Sequence, residues 1–241
     1  MGRQEKIKQQ KKEEERLRQE KRSKFKKRII YYSLMIIIAI SAAYGTNYAY
    51  QKIKHKETKK MTSYKTGERQ YSKAPDMQID QNKEYFANME TNYGKIKIKL
   101  YAKEAPKTAN NFIVLVRDKF YDGLIFHRIV NGFMIQGGDP QGSGTGGPGY
   151  KFDDELPKDK TYKRGIVAMA NSGPNTNGSQ FFIMHKDNES LPKNYSIFGE
   201  VTEGIETVDK IAIVEVSENS GGEASTPKTK VEIKSVTIEE K

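Results

Sequence analysis

Apolar and polar positions alternate with a period of two from Lys95 to Leu100, where lysines separate Ile96, Ile98 and Leu100. This is the pattern of a strand with one face buried and the other in water. Tyr93-Gly94 marks a turn just ahead of it, so FANMETNYGKIKIKLY reads as two strands of a hairpin. After Pro106, a residue suited to the first turn of a helix, the period changes, and Ala109, Phe112, Ile113 and Val116 recur at helical spacing. A second short helix is predicted over Ile205 to Ala212, and Val231 to Ile238 alternates again as a final strand. Many short strands with two helices point to a mainly β domain whose antiparallel sheet closes on itself, leaving no exposed edge.

Ahead of this domain the pattern differs in kind. Residues 29–50, IIYYSLMIIIAISAAYGTNYAY, contain no charged residue over 22 positions. At about 1.5 Å per residue, a helix of that length would cross a hydrocarbon layer roughly 30 Å thick. Tyr31, Tyr32, Tyr44, Tyr48 and Tyr50 gather towards its ends, where amphipathic rings favour the interface. The run is expected to form a single transmembrane helix, either retained as an anchor or cleaved as a signal after Ser41, Ala42 and Ala43. Residues 1–28 form a basic arm with 13 Lys/Arg against 5 Asp/Glu. Such an excess keeps the N-terminus in the cytoplasm and puts the following domain outside the membrane, or in the medium if the signal is cut. Residues 51–82, polar and weakly patterned with Gly67 and Pro75 as breakers, read as a spacer before a folded domain at residues 83–241.

The distribution of charge narrows the partners. The formal net charge is +11, yet residues 83–241 hold 21 Lys/Arg and 22 Asp/Glu. The basic excess belongs to the arm and spacer, and the foldable part has no basic stripe with interleaved aromatics, so nucleic acid is not an expected partner. The chain has no cysteine, which excludes disulfides, thiolate nucleophiles and thiolate zinc sites. His55, His127 and His185 lack metal-ligand spacing. GSGTGG at 142–147 runs into Pro148-Gly149 rather than a helix, so it reads as a loop and not a nucleotide site.

Two segments carry candidate chemistry: FHRIVNGFMIQGGD at 126–139 and GIVAMANSGPNTNGSQFFI at 165–183. Both closely resemble the signature stretches of the cyclophilin family of peptidyl-prolyl cis/trans isomerases, and the likeness runs over about residues 85–240. The resemblance implies a closed eight-stranded antiparallel barrel capped by two helices, with an extended Xaa-Pro segment bound across an outer face. It implies no cofactor. Arg128 matches the family's catalytic arginine, whose permanently charged guanidinium can donate to the prolyl nitrogen of a twisted peptide bond. Phe133, Met134, Phe182 and Leu191 match the apolar pocket for the proline ring, although each taken singly would be ordinary core. His127, Gln136 and Gln180 match polar positions of the site, and Ala170 and Asn171 match the stretch that pairs with the peptide backbone.

Two positions depart from cyclosporin-sensitive members of the family, which carry tryptophan and histidine where this chain has Ser190 and Tyr195. The departure implies retained proline binding, with Tyr195 at the rim of the substrate site, and weakened cyclosporin binding. The function so implied is a rotamase that speeds the folding of exported proteins, acting as a monomeric domain tethered to a membrane by residues 29–50, as would suit a bacterium. The alternative is a chaperone-like module that holds proline-containing segments without turnover. The intact set of Arg128, Phe133, Gln136 and Phe182 favours catalysis.

Overall fold

β1 (Tyr85–Thr91) and β2 (Gly94–Leu100) form the predicted hairpin, in register from Tyr85 opposite Leu100 to Thr91 opposite Gly94. The computed structural model to which they belong describes residues 69–241. Ile96, Ile98 and Leu100 are buried in the core, as the period of two requires. Lys97 and Lys99 lie on the opposite face, where they pair with Glu239 at 3.1 Å and Glu84 at 2.6 Å.

Helix α1 (Pro106–Arg117) follows, with Ala109, Phe112, Ile113 and Val116 all buried. Its N-cap residue, Ala105, has no side-chain oxygen for the first free N–H groups. Glu155 supplies one from a distant loop, accepting from Lys107 N at 3.0 Å, Thr108 N at 2.8 Å and Thr108 Oγ1 at 2.7 Å. A carboxylate at this end also suits the helix dipole.

The remaining elements are β3 (Phe126–Val130), β4 (Met134–Gly137), β5 (Ile166–Met169), β6 (Phe181–Met184), β7 (Ile197–Glu203), α2 (Ile205–Ala212), β8 (Val216–Glu218), β9 (Ala224–Pro227) and β10 (Ile233–Glu240). Eight strands form one antiparallel sheet in the order β10-β1-β2-β7-β5-β6-β4-β3, and β8 and β9 form a separate hairpin. The expected closed barrel is therefore corrected to an open, curled sheet. Its end strands, β3 and β10, form no ladder with each other. Backbone bonds between residues 123–126 and 231–233 join this region, including Gly123 N to Ile233 O at 2.7 Å and Phe126 N to Val231 O at 2.9 Å. Beyond them β10 follows β1, while the β8–β9 hairpin lies against β3. Nor is the expected preceding transmembrane helix part of the described structure: among the described residues no helix is long and apolar enough to cross a membrane. The run at 29–50 lies outside them, as does the basic arm.

Curling gives the sheet two unlike faces. Phe126, Ile129, Ile135, Val167, Phe181 and Ile183 point into the main core beneath α1. Their neighbours Met134, Ala168, Phe182 and Met184 fall on the other face and build a second, smaller apolar cluster. That second cluster is where the candidate site lies. Residues 69–82 also pack onto the domain. Tyr71 and Ile79 enter the main core, and Arg69 Nη2 donates to Asp122 O at 2.6 Å.

Candidate active site

Strands β3 and β4 are joined by a tight turn at Gly132, whose φ of +80° suits a residue without a side chain. His185 braces the turn: Gly132 N donates to its Nδ1 at 3.0 Å, and its Nε2 lies 3.4 Å from Asp209 Oδ1. The register sets Arg128 opposite Gln136, and Gln136 opposite Phe182 on β6. Directly opposed residues share a face, so pairing alone brings three of the motif positions together.

A polar chain runs from the guanidinium. Arg128 Nη1 donates to Gln136 Oε1 at 3.2 Å, and Gln136 Nε2 donates to Gln180 Oε1 at 2.9 Å. Gln180 Nε2 in turn donates to Gly144 O at 3.0 Å and Gly146 O at 2.8 Å. The loop receiving those bonds is itself wound on Asp139. The Asp139 carboxylate accepts from the backbone N–H groups of Gln141, Ser143, Gly144 and Gly146. Burial alone would raise this carboxyl, but the N–H groups of Gln141, Gly146 and Gly144 together outweigh it and hold it below its ordinary value. Gly146 approaches so closely that any Cβ there would collide with Asp139 Oδ1.

Beside Arg128 the surface is apolar. Met134 Sδ lies 3.9 Å from Arg128 Nη1, and Met134 and Phe182 form the floor of a cluster edged by Phe133, Ala170, Leu191 and Tyr195. The Phe182 and Tyr195 rings meet edge to face at 5.5 Å. Beneath them lies buried Tyr162, whose hydroxyl accepts from Tyr195 N and donates to Tyr195 O, both at 3.0 Å. A groove of about 780 Å³ adjoins this patch without covering it, lined by Gln136, Ala170, Asn171 and Gln180 and walled by residues 144–151. Asn171 fixes its own rim by donating from Nδ2 to Asn194 O at 2.9 Å, and Ala170 N donates to Gln180 O at 3.0 Å.

Ten of the eleven residues named from the sequence thus belong to the apolar cluster, the polar chain that starts at Arg128, or the adjoining groove. His127 does not. Its ring is buried beneath Gly144 and has no hydrogen-bond partner among the described residues on either nitrogen. Burial lowers its pKa, against Asp139, which raises it, and with Arg128, which lowers it further. The imidazole packs under the loop at Gly144. Ser190 is exposed and donates to Asn188 Oδ1 at 2.8 Å.

Three residues of the site escaped the sequence reading. Asp139 closes the first motif just before a glycine-rich loop, and free N–H groups there call for an acceptor, so that signal was available. Tyr162 carries no local signal. Glu223, at the tip of the β8–β9 hairpin, accepts from Arg128 Nε and Nη2 at 2.7 Å each across 95 residues of chain, which no local pattern announces.

Comparison with known proteins bears on these features. Residues 86–238 match the family model described as cyclophilin type peptidyl-prolyl cis-trans isomerase. The chain is 44% identical over 154 residues to peptidyl-prolyl cis-trans isomerase-like 3 of Gallus gallus, covering 62% of this chain and 93% of the relative. It is 43% identical over 171 residues to the probable peptidyl-prolyl cis-trans isomerase A of Mycobacterium bovis, covering 63% and 91%. Among solved structures it resembles a Cryptosporidium parvum cyclophilin type isomerase, with a TM-score of 0.59, 37% identity, and coverage of 65% of this chain and 98% of that one. The same Cryptosporidium protein, crystallised in the presence of the dipeptide Ala-Pro, matches with a TM-score of 0.58 and 38% identity, over 64% of this chain and 98% of that one.

Proposed function

Since this chain belongs to the cyclophilin-type peptidyl-prolyl cis-trans isomerase family, we propose that Arg128 lowers the barrier to Xaa-Pro rotation in a peptide held on the outer face of the sheet. Amide resonance gives the C–N bond double-bond character, a barrier of about 18–20 kcal/mol. In the twisted transition state the prolyl nitrogen keeps its lone pair and becomes an acceptor. A donor aimed at that nitrogen stabilises the transition state more than either planar ground state. The observation that carries this reading is the guanidinium fixed at the edge of the apolar patch, 3.9 Å from Met134 Sδ.

In this account Phe133, Met134, Phe182 and Leu191 seat the pyrrolidine ring, with Tyr195 at the rim. Gln136 orients the guanidinium, and Ala170, Asn171 and Gln180 line the path of the residues before the proline. No proton is transferred and no covalent intermediate forms.

The clients we propose are exported polypeptides, with the domain working outside the cytoplasmic membrane. The support comes from sequence: a basic arm ahead of the uncharged run at 29–50. Uncatalysed isomerisation takes tens to hundreds of seconds at 25 °C, long enough to limit folding of a newly exported chain. The activity is tested by exchange spectroscopy on an Xaa-Pro peptide with the full chain, where faster cis/trans exchange is expected. Binding without acceleration would instead favour a module that holds proline-containing segments. Protease treatment of intact cells tests the placement: cleavage of residues 83–241 supports it, and full protection opposes it.

A further inference from the structure

The Arg128 guanidinium has a second partner besides Gln136. Glu223 Oε2 accepts from Nε and Oε1 from Nη2, each at 2.7 Å, a fork-to-fork arrangement that fixes the plane as well as the position of the group. The two side chains remain 32% and 38% exposed, so the pair sits at the site's edge rather than within the core.

The carboxylate is itself held in place. Asn219 ties the hairpin tip together: its Oδ1 accepts from Gly221 N at 2.9 Å and Glu223 N at 3.1 Å, and its own N donates to Glu223 O at 2.9 Å. Asn219 Nδ2 also donates to Ser225 Oγ at 3.2 Å, and Ser225 is buried. Strand β9 lies along β3, which carries Arg128. A hairpin that adds nothing to the main sheet thus ends in an anchored acid on the Arg128 guanidinium.

An unpaired arginine side chain keeps its rotamer freedom and would have to lose it at the transition state. A guanidinium has five N–H donors. Glu223 takes one from Nε and one from Nη2, while Gln136 Oε1 and Met134 Sδ face Nη1, so the second N–H of Nη2 is the donor left for a substrate. We propose that Glu223 is a positioning residue for the isomerisation: it holds the Arg128 plane so that the remaining Nη2 N–H addresses the bound Xaa-Pro bond. This rests on the function proposed above.

The predicted consequence is a loss in kcat and not in KM, because the apolar patch that binds proline does not include Glu223. In the full chain, Glu223→Ala should lower kcat about tenfold with KM unchanged, and Glu223→Gln, which keeps one acceptor, should lose less. The same Glu223→Ala change in an Arg128→Ala background should cost nothing further, since its effect passes through the guanidinium. The Arg128 Nε–H signal in a ¹⁵N spectrum should shift on Glu223→Ala even without substrate. Undiminished kcat in Glu223→Ala, or an equal further loss in the Arg128→Ala background, overturns the proposal while leaving the enzyme assignment standing. An inactive wild-type chain overturns both.

Discussion

Arg128 and Gln136 are cross-strand partners on β3 and β4, and the guanidinium donates to the amide oxygen at 3.2 Å. The same amide donates onward to Gln180, so Gln136 can present only its oxygen to Arg128. Replacing it with the similarly sized leucine removes both bonds without opening a void. A hydrogen bond to a charged group contributes about 1.5 kcal/mol or more, so Gln136→Leu should lower kcat/KM roughly tenfold. Steady-state kinetics on an Xaa-Pro peptide would check this, and an unchanged value would detach Gln136 from the site.

How much of this was legible beforehand depends on the range of the interaction. The alternation at Ile96, Ile98 and Leu100 and the helical spacing at Phe112 and Val116 come from local geometry, and both elements form where expected. Arg128, Gln136 and Phe182 could be named because they sit in two continuous motifs that register then brings together. Closure of the sheet was misjudged because it depends on which strand meets β3 across about a hundred residues, and the β8–β9 hairpin takes that place. Glu223 and Tyr162 were missed for the same reason: each acts on a partner remote in sequence.

Glu155 offers a test of the scaffold separate from the chemistry. It stands in for the absent N-cap side chain of α1 through three hydrogen bonds. Loss of a cap costs about 1–2 kcal/mol. Glu155→Ala should therefore lower the unfolding free energy by that amount, seen as a lower urea midpoint at an unchanged m-value, and kcat should stay as in the wild type. A midpoint equal to that of the wild type would mean that solvent caps the helix as well as the carboxylate does.

Two histidines predict a pH dependence of stability. Burial lowers the pKa of both His127 and His185 from the ordinary 6.5, with Asp139 and Asp209 respectively opposing the shift. Below about pH 6.5 the unfolded chain binds protons at these positions that the native chain does not, so stability falls as pH falls through this window. Denaturation at about pH 7.5 and pH 5.5 should give a lower unfolding free energy at the acid value, and His127→Gln should flatten the difference. Greater stability at the acid value would reverse the sign and contradict the buried, neutral imidazoles.

The central claim is that one fixed guanidinium lowers the rotation barrier, and Arg128→Ala isolates it. Arg128 lies at the edge of the site and outside the main core, so the variant should keep the far-ultraviolet circular dichroism of the wild type and still bind an Xaa-Pro peptide in the patch around Phe133, Met134 and Phe182. Removing one preorganised donor is worth about 2.7–4 kcal/mol, on the order of a 100- to 1,000-fold fall in kcat. The direct measurement is exchange spectroscopy on that peptide with equal amounts of wild-type and variant protein. The account predicts fast exchange with the first and exchange near the uncatalysed rate with the second. An Arg128→Ala protein that exchanges the peptide as fast as the wild type would contradict it.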